Sequence, residues 1–395
     1  MDFQNVNPLN IRLNLVSGNL LPVINGDSTF SFFWKVHSVF VWLMQFVIAI
    51  AMVLGCIYVP IEKALTDGMI CFVVFIEMFF MIMRIHARKD LMYQLIQKLN
   101  EILYAADETM KSVLATTLEP VKNPLHFYWS AGVISIIGWN CIPLVLVFEK
   151  NLFLYQDYRI PAAFSEQPFS LKVFLLGSLF ITISSIYMFL KKVGVDVYMV
   201  HLVLLITVQY RYIALKIAMI FQEENESDES QRKHSPGLAR RKEKEIRALC
   251  RHHNDLVYIT SLLKELLSLN FSLIYINSVF RFCFIGIMLS SITSSTFWEA
   301  VSIIMYSSGA VVQLYILCSC VQQLLDASTE MTDKAFNENW YVLQPSIKRI
   351  FMMIIMANNL ECKIATFANF NLSLPSFMMI LNQSYTIALL FLKMK

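Results

Sequence analysis

Glu77 and Arg281 are the clear ionisable residues set inside long apolar stretches of this chain, with Arg84 close to the end of one. Ionisable residues in such positions serve ion pathways, proton relays or charge pairing between helices. One acid in the second apolar stretch and one base in the fifth fit a pair between two helices, because intramembrane charge is otherwise too sparse for a relay. The adjacent His252 and His253 read as solvated residues of an amphipathic helix. The eight cysteines, Cys56, Cys71, Cys141, Cys250, Cys283, Cys318, Cys320 and Cys362, lie mostly inside apolar stretches without the paired spacing of metal ligands, so they read as small packing residues. Cys318 and Cys320 fall on different faces of a helix. No Gly-rich phosphate loop, H-E-x-x-H, Cys-x-x-Cys pair or nucleophile elbow occurs, so neither an enzyme nor a metal or cofactor site is expected.

The remaining chemistry is recognition. A site for a small apolar molecule needs aromatic and aliphatic walls with a few polar groups to fix orientation. The outward halves of the apolar stretches offer Phe72, Phe75 and Ile76 on the second, Ser135, Gly138, Trp139 and Ile142 on the third, and Ser178 and Thr182 on the fourth. Phe282, Ile285 and Met288 on the fifth, with Met305, Tyr306 and Gly309 on the sixth, complete the candidate wall. The same Gly and Ser residues also serve close helix packing.

Seven stretches must position these residues, near residues 36–60, 68–84, 127–148, 173–190, 269–292, 297–318 and 370–392. Each approaches the roughly 20 helical residues that cross a hydrocarbon core. With 57% hydrophobic and 15% charged residues and a mean hydropathy of +0.56, the chain reads as an all-α polytopic membrane protein; the net charge of +3 says little about partners, and no nucleic-acid partner is expected. The N-terminal stretch lacks the basic start, apolar core and small-residue site of a signal peptide.

Lys and Arg mark the cytoplasmic side. They crowd the N-terminal segment and the connections holding Arg84 to Lys122, Arg232 to Lys264 and Lys334 to Lys363, whereas the alternate set holds only Lys63, Lys150, Arg159, Lys172, Lys393 and Lys395. The N-terminus is therefore expected inside and the C-terminus outside, the reverse of a G-protein-coupled receptor.

The apolar run from Leu171 to Phe221 is long enough for two crossings but contains Lys191, Lys192, Asp196, His201, Gln209 and Arg211. One crossing is expected, ending near the Lys191 and Lys192 pair, then a helix that continues into the cytoplasm and packs on protein. The stretches Glu245 to Leu267 and Val321 to Asn358 carry helical spacing with too much charge to cross, and read as cytoplasmic helices. The expected organisation is a cytoplasmic segment 1–35, four spans with an extension of the fourth over 36–221, a mobile loop over 222–248 with possible phosphosites at Ser227, Ser230 and Ser235, two spans and anchor helices over 249–369, and a last span over 370–395.

The last third of the chain resembles the insect odorant receptor family. The resemblance is carried by Tyr315 to Ser328 (YILCSCVQQLLDAS), by Ala335 and Trp340 in AFNENWY, and by the run from Asn371 to Lys395, in which Ser384, Tyr385 and Thr386 fill the family's Ser-Tyr-Ser or Ser-Tyr-Thr element. The Thr-Tyr and Gln-Phe pairs of the related gustatory receptors are missing. Chain size, span number and inverted topology extend the resemblance to essentially the full length.

The resemblance implies a tetrameric ligand-gated non-selective cation channel of the plasma membrane, in an olfactory neuron dendrite. In it this subunit would bind small volatile organic molecules and assemble with a shared olfactory co-receptor. It further implies that the cytoplasmic helices, with Trp340 and Tyr385, anchor subunits to one another. The last helix would line the pore, with Leu390 and Met394 at the apolar gate and Lys393 at a filter position where a positive charge departs from what a cation path favours. Two other readings stay open: a gustatory-type homomeric channel, and a metabotropic seven-helix receptor, which requires an external N-terminus.

Overall fold

The computed structural model describes residues 2–6, 8–23, 30–226, 236–290, 292, 296–338, 340–342, 345, 348–349, 351–353, 356 and 372–393. Seven of its helices are long and apolar enough to cross a membrane. In chain order the helices are α1 (Pro8–Val16), α2 (Phe32–Tyr58), α3 (Met69–Ala87), α4 (Lys89–Tyr104), α5 (Glu108–Cys141), α6 (Leu171–Glu226), α7 (Pro236–Ser290), α8 (Phe297–Asn337) and α9 (Leu374–Lys393). The spans are α2, α3, α5, α6, α7, α8 and α9. A single turn over Phe3–Val6 precedes α1.

Four spans extend well past the bilayer's needs. At about 1.5 Å per residue, the 56 residues of α6 reach roughly 84 Å. The expected single crossing with a cytoplasmic continuation is one unbroken helix, and the amphipathic stretch Glu245 to Leu267 is the first half of α7 rather than a separate element. Likewise α5 begins at Glu108, well before the apolar stretch expected near 127, because Asp107 caps its N-terminus by accepting from the Met110 N–H at 2.8 Å. Helix α8 starts with a reciprocal capping box between Thr296 and Glu299 and runs to Asn337. Helical backbone enters the expected loop 222–248 from both sides, up to Glu226 and from Pro236; Ser227, Ser230 and Ser235 lie outside the described residues, as does most of 343–371.

The extensions of α5, α6, α7 and α8 bundle together. Leu249, Leu256, Ile259, Leu263 and Leu266 are buried along one face of α7, as their spacing requires. Helix α4 was not distinguished in the sequence, yet Met92, Leu95, Ile96, Leu99 and Leu103 form its buried stripe at helical spacing. The histidines expected in solvent are not there: His253 is buried, and His252 is half-buried with its Nε2 3.1 Å from Gln209 Oε1 on α6. The polar residues of α6 find partners in the same layer, Arg211 donating to Thr117 at 3.0 Å and to Gln323 at 3.3 Å.

At the opposite end, the connections 59–68 and 149–170 meet the first turn of α8. A two-stranded antiparallel ribbon, β1 (Leu152–Phe153) and β2 (Phe169–Ser170), seats Phe153 against Phe174 of α6 with ring centroids 4.2 Å apart. Arg159 holds these connections together through Glu299 at 3.0 Å and Asp67 at 3.3 Å, and Lys63 joins Asp67 at 2.7 Å. The seven described cysteines are free.

Candidate functional site

Enclosed between α3, α5, α6, α7 and α8 is a cavity of about 110 Å³. That is ample for a molecule larger than water, and of the order of the roughly 150 Å³ apolar hole known to admit benzene. The helices run alternately through the bundle, so each delivers a short ladder of residues to it. Ile70, Cys71 and Val74 come from α3, Tyr128, Gly132, Ser135, Ile136, Trp139 and Asn140 from α5, and Ser185, Met188, Phe189 and Lys192 from α6. Arg281 of α7 and Tyr306, Gly309, Ala310 and Gln313 of α8 close the wall, and Ile160 covers it from the connection that Arg159 ties down.

Most of this surface is apolar. Trp139 and Tyr306 pack against each other on its outer wall with ring centroids 4.9 Å apart, and Phe189 packs against Trp129 and Tyr128. Small residues let the helices close around it: a Cβ on Gly132 would collide with the Phe189 ring, and one on Gly309 would sit 3.2 Å from Ala131 Cβ. At the inner end the chemistry changes. Lys192 Nζ lies 2.9 Å from Glu77 Oε1 and 2.7 Å from Asp196 Oδ1. Asn277 donates to Glu77 at 2.8 Å, while Tyr128 and Gln313 donate to Asp196 at 3.0 and 2.8 Å. Arg281 Nη1 completes the cluster 3.9 Å from Glu77 Oε2. All four charges are buried, so each needs its opposite.

The expected pair of Glu77 and Arg281 is thus a four-charge cluster in which Lys192 is the nearer base. Lys192 is held inside the bundle by two acids. Lys191 is buried beside it, its ammonium 4.0 Å from the centre of the Trp42 ring and donating to Gly18 O and Asn19 Oδ1 at 3.4 Å.

Of the candidate ligand residues, Ser135, Trp139, Tyr306 and Gly309 border the cavity. Gly138 lies where α5 crosses α8, with no room for a Cβ beside Ser302. Phe75 borders a smaller void with Gln45 and Ile48, its ring 6.2 Å from those of Phe46 and Phe79; Phe72 and Ile76 are half-buried on the same helix. Ile142 opens a 3-10 turn after α5. Ser178 and Thr182 lie two turns and one turn outward of Ser185, with the Thr182 hydroxyl donating to Ser178 O at 2.8 Å. Phe282, Ile285 and Met288 are buried in the helix packing, and Met305 is half-buried beside Tyr306. Sequence reasoning missed Tyr128, Met188, Phe189, Ala310 and Gln313, which look like ordinary helix residues until the helices are assembled.

Among the described elements, helix α9 packs chiefly on α7 and α8. Gly286 lets it approach, since a Cβ there would be 3.0 Å from Ala388 Cβ, and Tyr275 donates to Gln383 at 3.1 Å. Its other face is bare: Tyr385 is 66% and Leu390 60% exposed, and Lys393 is exposed too. Met394 lies outside the described residues. Trp340 is partly buried and donates to Phe336 O at 3.1 Å.

The family model described as 7tm Odorant receptor matches residues 59–385. The chain is 24% identical over 151 residues to Odorant receptor 67a of Drosophila melanogaster, a stretch covering 38% of this chain and 37% of that relative. It is 19% identical over 269 residues to Odorant receptor 85f of the same species, covering 68% of this chain and 64% of the relative. Each match therefore spans less than two thirds of the relative's own length. The fold superimposes on the insect olfactory receptor OR5 from Machilis hrabei with a TM-score of 0.80 at 12% identity, and on the structure of that receptor in complex with eugenol with a TM-score of 0.78 at 13% identity, each covering 100% of both chains. At such identity the likeness is one of fold.

Proposed function

Because this chain belongs to the 7tm Odorant receptor family, we propose that it is the ligand-tuning subunit of an odorant-gated, non-selective cation channel that assembles with an olfactory co-receptor. The observation that carries this reading is the enclosed, mostly apolar cavity, walled in part by the two helices on which α9 packs.

A small volatile molecule occupies the cavity beside the packed Trp139 and Tyr306 rings. It gates the channel only if it binds the open arrangement more tightly than the closed one. Arg281 and Tyr306 belong to α7 and α8, so a ligand that spreads those helices transmits the change to α9 through the Gly286 and Ala388 contact and the Tyr275 to Gln383 hydrogen bond. In the assembly, the exposed face of α9 with Leu390 lines the pore, and Tyr385 meets a neighbouring subunit. The positive Lys393 is tolerated where the co-receptor supplies most of the conduction path.

The test is whole-cell current during exposure to volatile esters, ketones, alcohols and hydrocarbons, with and without the co-receptor, while G-protein signalling is blocked. Fast cation currents that require both subunits support the reading. Currents from this chain alone point to a homomeric channel, and responses abolished by the block point to a metabotropic receptor.

A further inference from the structure

The wall of the cavity has hydrogen-bond donors that the protein leaves unused. Arg281 borders the cavity, and only its Nη1 reaches a carboxylate, at the long distance of 3.9 Å; Nε and Nη2 are buried without a hydrogen-bond partner among the described residues. The Tyr306 hydroxyl is likewise buried and unpartnered, as is the Ser135 hydroxyl, and both side chains border the same space. A buried donor left unmade is unfavourable, and native proteins carry few of them. Four such donors, on three side chains of one cavity wall, point to an absent acceptor.

The charge around them limits what that acceptor is. Glu77 and Asp196 are balanced by Lys192 and Arg281, and Lys191 is engaged on the other side by Trp42, Gly18 and Asn19. A carboxylate ligand would leave one uncompensated negative charge in a dry site. A hydrocarbon would leave the donors as they are.

Resting on the reading of this cavity as the ligand site, we infer that the ligand is a neutral molecule with an apolar body and a carbonyl-type oxygen, which accepts hydrogen bonds from Arg281 and Tyr306 while its body lies against Trp139, Phe189 and Ala310. The oxygen points inward, towards the charge cluster.

Matched probes on one skeleton test this: acetophenone, isopropylbenzene and benzoic acid, with the corresponding ketone, alkane and acid of a seven-carbon chain. They are applied to cells expressing the complex, with surface level normalised by an epitope tag. The ketones should activate at concentrations at least tenfold below the hydrocarbons and acids. Tyr306→Phe, which keeps the ring, should raise the half-maximal concentration for the ketones roughly 2- to 13-fold, the range of one neutral hydrogen bond, and leave the hydrocarbons unchanged. Ala310→Phe, which fills the cavity, should abolish responses to all of them.

If Ala310→Phe silences every probe while Tyr306→Phe shifts ketones and hydrocarbons alike, the oxygen-acceptor proposal fails and the cavity reading stands. Acids or hydrocarbons as the more potent series overturn the proposal in the same way. Undiminished responses in Ala310→Phe overturn both.

Discussion

Lys192 of the fourth span bonds Glu77 of the second at 2.9 Å and, one helical turn along its own helix, Asp196 at 2.7 Å. This one ammonium joins two spans and, through Asp196, draws in Tyr128 of the third and Gln313 of the sixth. The inner end of the cavity is therefore held by a charge network rather than by apolar packing.

Removing one member of a buried ion pair strands the other, at a cost of about 3–5 kcal/mol. Lys192→Met should thus destabilise the folded protein by about that amount, leaving Glu77 and Asp196 facing each other. Arg281→Met should cost less, because its contact with Glu77 is 3.9 Å. Thermal unfolding of the detergent-solubilised protein checks the order. Equal losses, or a larger loss for Arg281, would show that Lys192 is not the keystone.

The cytoplasmic layer offers a cleaner separation of cap from charge. Asp107 accepts from Met110 N–H and from the Tyr212 hydroxyl at 3.2 Å, and Lys216 lies 2.8 Å away. Burial alone would raise the Asp107 carboxyl, but the hydrogen bonds from Lys216, Met110 and Tyr212 outweigh it and hold it below the usual carboxylate range. Asp107→Ala should cost about 0.5–2 kcal/mol as a lost cap. Asp107→Asn keeps a capping oxygen and should cost no more than about 1 kcal/mol, since the pair with Lys216 is partly exposed.

The pH dependence has a definite sign. A lowered carboxyl contributes stability that is fully present above its unfolded value of about 3.9 and fades as pH falls through the folded value. The difference between the wild-type chain and Asp107→Asn should therefore be flat from roughly pH 6 to 8. A difference that shrinks across that window would contradict the assignment.

On the outer side, Arg159 holds Glu299 and Asp67 together while Lys63 touches Asp67 alone. Arg159→Ala should cost about 1–3 kcal/mol, between the exposed and buried limits for ion pairs, and Lys63→Ala less than about 1. Because Ile160 covers the cavity, Arg159→Ala should also speed decay of the response when ligand is washed away. Unaltered decay with lowered stability would confine Arg159 to a structural role.

The spans were legible because hydropathy is a local signal that survives without knowing the neighbours. The long continuations of α6 and α7 were legible for the same reason: charge forbade a second crossing, and Leu249 to Leu266 kept helical spacing. What the sequence hid depends on partners far along the chain. The partners of Lys192 were not legible, because Glu77 lies over a hundred residues before it and only the assembled bundle brings them together. Phe75 borders a smaller void beside α2, where its ring meets Phe46, rather than the main cavity. Tyr128 and Phe189 carried no distinguishing signal, since an aromatic at helical spacing reads as core until a cavity is found beside it.

Trp139 and Tyr306 set the width of the cavity at their 4.9 Å contact. Trp139→Ala should enlarge it and shift tuning towards bulkier molecules, at a stability cost of no more than about 3–5 kcal/mol because the tryptophan is only half-buried. A dose-response series over a homologous set of esters reads the shift. Unchanged rank order would place the selective wall elsewhere.

The decisive measurement is the structure of the complex with the co-receptor, at a saturating concentration of an activating volatile. Ligand density in the cavity bordered by Trp139, Tyr306, Phe189 and Ala310 is the expected result, with α9 displaced from its position in the unliganded complex. Density at another site, with the cavity between α3, α5, α6, α7 and α8 unchanged, would contradict it.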